Sequence, residues 1–208
     1  MSGACHHHHD EAGAVAQSHE YRRALWVVLA INAGMFLVEA TFGVIGGSVA
    51  LQADALDFLG DAATYGVSLA VLGLALRWRA RAALLKGATM GLFGFWVLGN
   101  AVAHAMTGHV PSAPLMGGIG MAALAANVAS AMVLFRYRRG DSNRRSVWLC
   151  TRNDAIGNVA VVVAGALVFV LGSGWPDLVV GGAIGLLALH SAASVVGQAR
   201  RELRSAIA

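Results

Sequence analysis

Five acidic residues stand in surroundings too apolar for them: Glu39, Asp54, Asp57, Asp61 and Asp154. An ionised acid inside a membrane span costs several kcal/mol, so it normally faces a protein interior, where it pairs or marks a pathway. Asp57 and Asp61 are four residues apart. On a helix that spacing puts both on one face, about 6 Å apart. Asp54, seven before Asp61, continues the stripe. Cys150 and Asp154 repeat the four-residue spacing, and Asn158 follows one turn later. Two such pairs on facing helices supply four ligands to one cation. Three carboxylates and a thiolate (Asp57, Asp61, Asp154 and Cys150) suit a tetrahedral, borderline-soft divalent ion such as Zn²⁺ or Cd²⁺. Mg²⁺ and Ca²⁺ take more oxygens and no sulfur. Glu39, Asp54 and Asn158 are candidate accessory positions. On spacing alone a plainer reading stays open, with Asp57 and Asp61 as polar packing residues and Cys150 as a small buried hydrophobe.

Composition says what must hold these groups. The chain has 208 residues, 57% hydrophobic and 12% charged, with a mean hydropathy of +0.64. Soluble domains carry about a quarter charged residues. The polar surface left here is too small for a water-soluble globule, which excludes an ordinary cytosolic enzyme, a disordered chain and a nucleic-acid-binding domain. The expected fold is all-α, a polytopic membrane bundle of six transmembrane helices without strands. Apolar runs of about 20 residues place the spans at about 24–46, 49–76, 84–106, 114–136, 146–172 and 178–198. A His-rich flexible segment (1–21) precedes the six-helix domain (22–199), and a short basic tail (200–208) follows it. Pro111, Pro114 and Pro176 all fall in connections, where a missing backbone donor matters least.

The net charge of +4 is placed asymmetrically. Arg22 and Arg23 precede the first span, and Arg77, Arg79, Arg81 and Lys86 surround the second link. Arg136, Arg138, Arg139, Arg144 and Arg145 fill the fourth, and Arg200, Arg201 and Arg204 end the chain. The other three links contain no Lys or Arg. The positive-inside rule then places both termini in the cytoplasm, with the bacterial inner membrane as the expected location. Trp26, Trp78, Trp148 and Trp175 fit an aromatic belt. No cleavable signal peptide is visible, and two distant cysteines imply no disulfide framework.

The segment GGSVALQADALDFLGDA (46–62) resembles the second helix of the cation diffusion facilitator family, where ADxxHxxxD or ADxxDxxxD carries half of a metal site. Asp57 takes the variable His/Asp position and Asp61 the final Asp. RSVWLCTRNDAIGN (145–158) is similar to the family's fifth helix, with Asp154 at the Asp of HxxxD and Cys150 in place of the His. Asn32, Glu39 and Gly43, Asn127, and Pro176-Asp177 are weaker supporting matches. The resemblance covers about 22–204 and implies a homodimer that exports divalent metal, Zn²⁺ first, from the cytoplasm in exchange for protons. It implies metal bound between helices two and five, no resident cofactor, no enzymatic activity, and lipid rather than nucleic acid as surroundings. A carboxylate site must lose protons to take up M²⁺, so one set of residues can carry both ions in opposite directions.

Three departures bear on this. The chain stops about ten residues after its sixth helix, where the family continues into a cytoplasmic metal-binding domain. Cys150 replaces a His, which favours softer ions. Arg152 lies between the two presumed helix-five ligands and, at about 200° around the helix, points away from them; pairing with Glu39 or Asp54 is expected. Among the histidines, His6, His7, His8 and His9 beside Cys5 are either a metal-gathering segment or an expression tag. His104 and His109 lie near the outer ends of helices three and four, and His190 is expected to be packed or partnered. Glycine pairs Gly43/Gly47, Gly87/Gly91 and Gly181/Gly185 have the spacing of close helix packing. Two other classes stay open. One is a membrane sensor or binding subunit that does not move metal. The other is an intramembrane aspartyl hydrolase, whose paired aspartates would share a proton across a substrate, although the GxGD-type surroundings are absent.

Overall fold

The structure is a computed structural model that describes residues 5–70, 76–137 and 142–205, with side chains from residue 19 onward except 68, 70, 76–77, 79, 142–153 and 205. Among the described residues it is entirely helical: α1 (Cys5–Ile45), α2 (Val49–Ala70), α3 (Leu76–Thr107), α4 (Ala113–Phe135), α5 (Ser142–Leu171) and α6 (Trp175–Ser205). Five of these are long and apolar enough to cross a membrane, namely the parts covering His19–Ile45, Ala80–Thr107, Ala113–Phe135, Asp154–Leu171 and Trp175–Arg204. The exception is α2, which holds three aspartates in its 22 residues. The protein is a polytopic membrane bundle.

Several helices outrun the expected spans. α1 reaches back to Cys5, α3 to Leu76 and α6 forward to Ser205. Hydropathy marks only the part of a helix that needs lipid, and polar turns beyond it cost little. α2 is described only to Ala70, short of the expected 76.

α2 is central, in contact with each of the other five helices. α1, α2, α4 and α5 pack together, and α3 pairs most extensively with α6. Toward the α1–α2 turn, Ala50, Leu51, Met116, Val161, Ala164 and Val168 form a buried apolar cluster. At the opposite end of α2, Leu25, Val28, Tyr65 and Leu134 form another. Between these lies a polar layer in which Asn32, Glu39, Asp54, Asn127, Ser130 and Asn158 are all buried.

The α1–α2 turn is tight. Gly47 has φ +62°, a left-handed conformation that only glycine adopts without strain. Ser48 N–H donates to Gly43 O (2.9 Å) and Gly47 N–H to Val44 O (3.2 Å), the two bonds of a Schellman ending. The α3–α4 link is tied to this turn through Ser112 N–H, which donates to Gly46 O at 2.9 Å. Gln52 joins three helices: its amide donates to Gly43 O (3.0 Å) and accepts from Asn100 Nδ2 (2.8 Å).

The start of α2 is capped twice. Ser48 Oγ accepts from Leu51 N–H at 3.1 Å, an ordinary N-cap. Asp177, from the first turn of α6, accepts from Ser48 Oγ (2.6 Å), Val49 N–H (2.8 Å) and Ala50 N–H (3.0 Å). The two helices can come this close because residue 181 is glycine. A Cβ there would lie 2.6 Å from backbone atoms of both Val49 and Ala50.

Candidate functional site

The acids divide into two groups along α2. Counting from the α1–α2 turn, Asp54 comes first, then Asp57, then Asp61. One turn nearer that end than Asp154, α5 presents Asn158, so the two helices offer their polar groups in matching order.

Asp61 and Asp154 meet. Their carboxyl groups lie within hydrogen-bonding reach of each other, and Asp57 and Asp54 both act electrostatically on Asp154. Tyr65 donates its hydroxyl to Asp61 Oδ2 from the next turn of α2. Asp57, Asp61 and Asp154 are all partly buried. Aspartates on two different helices therefore converge on one interior region, toward the end of α2 remote from its cap.

Asp54 lies on the same helix but turns elsewhere. It is buried against Glu39 of α1, with the two carboxyl groups in hydrogen-bonding reach. Asn158 completes its surroundings. With the amide nitrogen facing Asp54, Asn158 donates to Oδ1 (3.2 Å) and Oδ2 (2.9 Å), while its oxygen accepts from Asn127 Nδ2 (3.0 Å). The stripe expected from spacing is thus split. Asp54 belongs to a polar layer with Glu39, Asn127 and Asn158, and Asp61 belongs with Asp154.

Cys150, Arg152, Trp148 and His6, His7, His8 and His9 lie outside the residues whose side chains are described. Among the described residues no three His, Cys, Asp or Glu side chains are grouped so as to hold a metal ion. The expected tetrad needs Cys150, and Asp61 is turned to Tyr65 as well as to Asp154. His104 and His109 do come together, with ring centroids 4.3 Å apart, beside a cavity of about 160 Å³ that Gly174 and Trp175 also line. His190 is exposed on α6, which corrects the packed half of the expectation that it is packed or partnered.

Two participants escaped the sequence reading. Tyr65 sits four residues after Asp61, the same spacing that linked Asp57 to Asp61, and was legible on that ground. Asp177 was noted only as the opening of helix six; its role in capping α2 depends on how the helices pack.

The family model described as the cation efflux transmembrane domain matches residues 25–203, nearly the whole of this bundle. The chain belongs to the cation efflux family, the cation diffusion facilitators. Curated relatives in the cation efflux family are distant. A protein of Bacillus velezensis named cadmium, cobalt and zinc/H(+)-K(+) antiporter is 23% identical over 201 residues, covering 89% of this chain and 62% of that protein. The zinc transporter ZitB of Escherichia coli is 25% identical over 213 residues, covering 95% of this chain and 67% of its own length. The metal cation efflux system protein CzcD of Cupriavidus metallidurans is 24% identical, with 88% of this chain and 60% of its length matched. The chain thus spans roughly two-thirds or less of each of these relatives.

Proposed function

We propose that the protein exports a divalent transition-metal ion, Zn²⁺ or Cd²⁺ before others, from the cytoplasm in exchange for protons. The reading places the ion between α2 and α5, held by Asp57, Asp61, Asp154 and Cys150. One observation carries it: Asp61 of α2 and Asp154 of α5 meet in the interior with Asp57 beside them, an arrangement that has little purpose unless positive charge is to be received. The names of the relatives support the substrate class. The reading also takes both termini as cytoplasmic, a second copy of the chain as partner, and no chemical conversion of the cargo.

Proton exchange follows from the donor set. Carboxylates and a thiolate bind M²⁺ only when deprotonated, so loading releases protons and protonation favours unloading. Tyr65, donating to Asp61, holds that carboxylate in position for the ion.

The test uses the purified chain in sealed lipid vesicles, with an imposed zinc gradient and a trapped pH dye. Saturable zinc accumulation coupled to proton movement is expected of the wild type. Asp61→Ala and Asp154→Ala should each abolish it while the protein stays folded and monodisperse. Retained flux in both variants would reject the assignment. Zinc binding without accumulation would turn the reading to a sensor or binding subunit.

A further inference from the structure

His104 and His109 take no part in the site between α2 and α5. Their rings lie together, with centroids 4.3 Å apart and planes tilted by 38°. The chain is shaped to bring this about. α3 ends at Thr107, and Gly108 follows with φ +64°, a left-handed conformation that glycine takes without strain. His109 N–H then donates back to His104 O at 3.1 Å, which folds the second imidazole toward the first. His104 Nδ1 is buried and has no hydrogen-bond partner among the described residues. Both rings border the cavity of about 160 Å³ that Ser173, Gly174 and Trp175 also line. At about 30 Å³ per water, that is room for an ion with several waters. Charge favours a cation here. The rings lie at the carbonyl end of α3, the negative end of its dipole. The links at this rim contain no Lys or Arg, and Asp177 acts electrostatically on His104. Asp177 is itself engaged in capping α2, so it contributes field rather than a ligand.

We infer that His104 and His109 form a second metal site, apart from the one between α2 and α5. It takes a Zn²⁺-class divalent ion through two imidazole nitrogens, with water filling the remaining positions. Imidazole suits such ions, whereas Mg²⁺ and Ca²⁺ want oxygen. Zn–N bonds of about 2.0–2.1 Å at tetrahedral angles set two ring centres about 5 Å apart. From 4.3 Å, a small turn of one side chain reaches that. Two protein ligands make a loose site, able to receive an ion and to give it up to water. His109 is exposed, so water reaches it directly. The position suits an ion on its way out. Asn100 lies one turn before His104 on the same face of α3. It donates to Gln52 of α2 at 2.8 Å, so polar side chains continue from the interior of α2 toward the histidines. This exit role rests on the transport reading above; the binding itself does not.

The experiment uses the full chain in mild detergent, with zinc alone as probe. The double variant Asp61→Ala, Asp154→Ala removes the α2–α5 site, and zinc bound per chain is counted by equilibrium dialysis. Adding His104→Gln and His109→Gln to that chain should lower the count by one. Zinc held elsewhere, at His6, His7, His8 and His9 included, is common to both chains and cancels. Either histidine change alone should weaken the extra site by about 100-fold or more, the upper end of what groups behind the ligands contribute. Equal counts in the two chains would overturn the inference. Should the histidine variants not fold, carbethoxylation of the wild type decides, read residue by residue from peptide masses. Zinc should shield both His104 and His109 from the reagent, and Mg²⁺ at the same concentration should not. Modification unaffected by zinc, or equal shielding by Mg²⁺, would overturn the inference as well. Sealed vesicles separate the two readings. A wild type that moves no zinc yet keeps the extra equivalent brings down the transport reading and leaves this site standing. Where the wild type does transport, His104→Gln with His109→Gln should slow zinc flux severalfold; unchanged flux with the equivalent lost would overturn the exit role.

Discussion

The double cap on α2 gives the sharpest stability test, because Asp177 serves a helix that is not its own. Its oxygens take three hydrogen bonds, from Ser48 Oγ and from the backbone N–H groups of Val49 and Ala50. In Asp177→Ala the hydroxyl of Ser48 can turn to another acceptor. Val49 and Ala50 are fully buried, so their two N–H groups lose an acceptor that bulk water is poorly placed to replace. Each buried donor left unmet costs about 1–3 kcal/mol, so the loss should be roughly 2–6 kcal/mol. Asp177→Asn keeps one acceptor and turns an N–H toward a donor, so its loss should be about half as large. Ser48→Ala should cost about 1–2 kcal/mol as an N-cap. The double variant should then reveal a Ser48–Asp177 coupling of about 1–3 kcal/mol. The measurement is reversible unfolding in mixed micelles of mild and denaturing detergent. An Asp177→Ala variant within about 0.5 kcal/mol of wild type would refute the capping argument.

Other substitutions probe the packing and the site. Gly181→Ala should destabilise by about 1–3 kcal/mol because its Cβ would meet the α2 backbone, whereas Gly182→Ala, with nothing within 4 Å of the added atom, should change little in the same assay. Asn158→Leu removes both donations to Asp54 and should cost about 2–3 kcal/mol by the same unfolding measurement. Cys150→His should keep transport in vesicles and shift the zinc-to-cadmium preference toward zinc; an unchanged preference would leave Cys150 as packing.

How much of this was legible depends on the range of the interaction. Spacing within one helix placed Asp57 and Asp61 on one face, and apolar runs along the chain gave six elements, with Asp154 on the fifth. What it could not give was which neighbour each acid meets. Asp54 shares the Asp57–Asp61 stripe by spacing, yet it sits close enough to the α1–α2 turn for α1 to lie against it, so Glu39 and Asn158 claim it. Asp177 is 129 residues from Ser48, and no local pattern announces that pairing. Helix ends were misjudged at α1, α3 and α6 because polar turns continue a helix without raising hydropathy.

The links at the α1–α2 end of the bundle restrain one another. Gly46 is bonded to the start of α4, α6 grips the first turn of α2, and His109 lies against both Gly47 and Gly174. Helices stitched together at one rim behave like the blades of tweezers: separation comes more easily at the far rim. Amide protons around residues 48–51 should accordingly be among the last to exchange with solvent, whichever way the bundle is gaping.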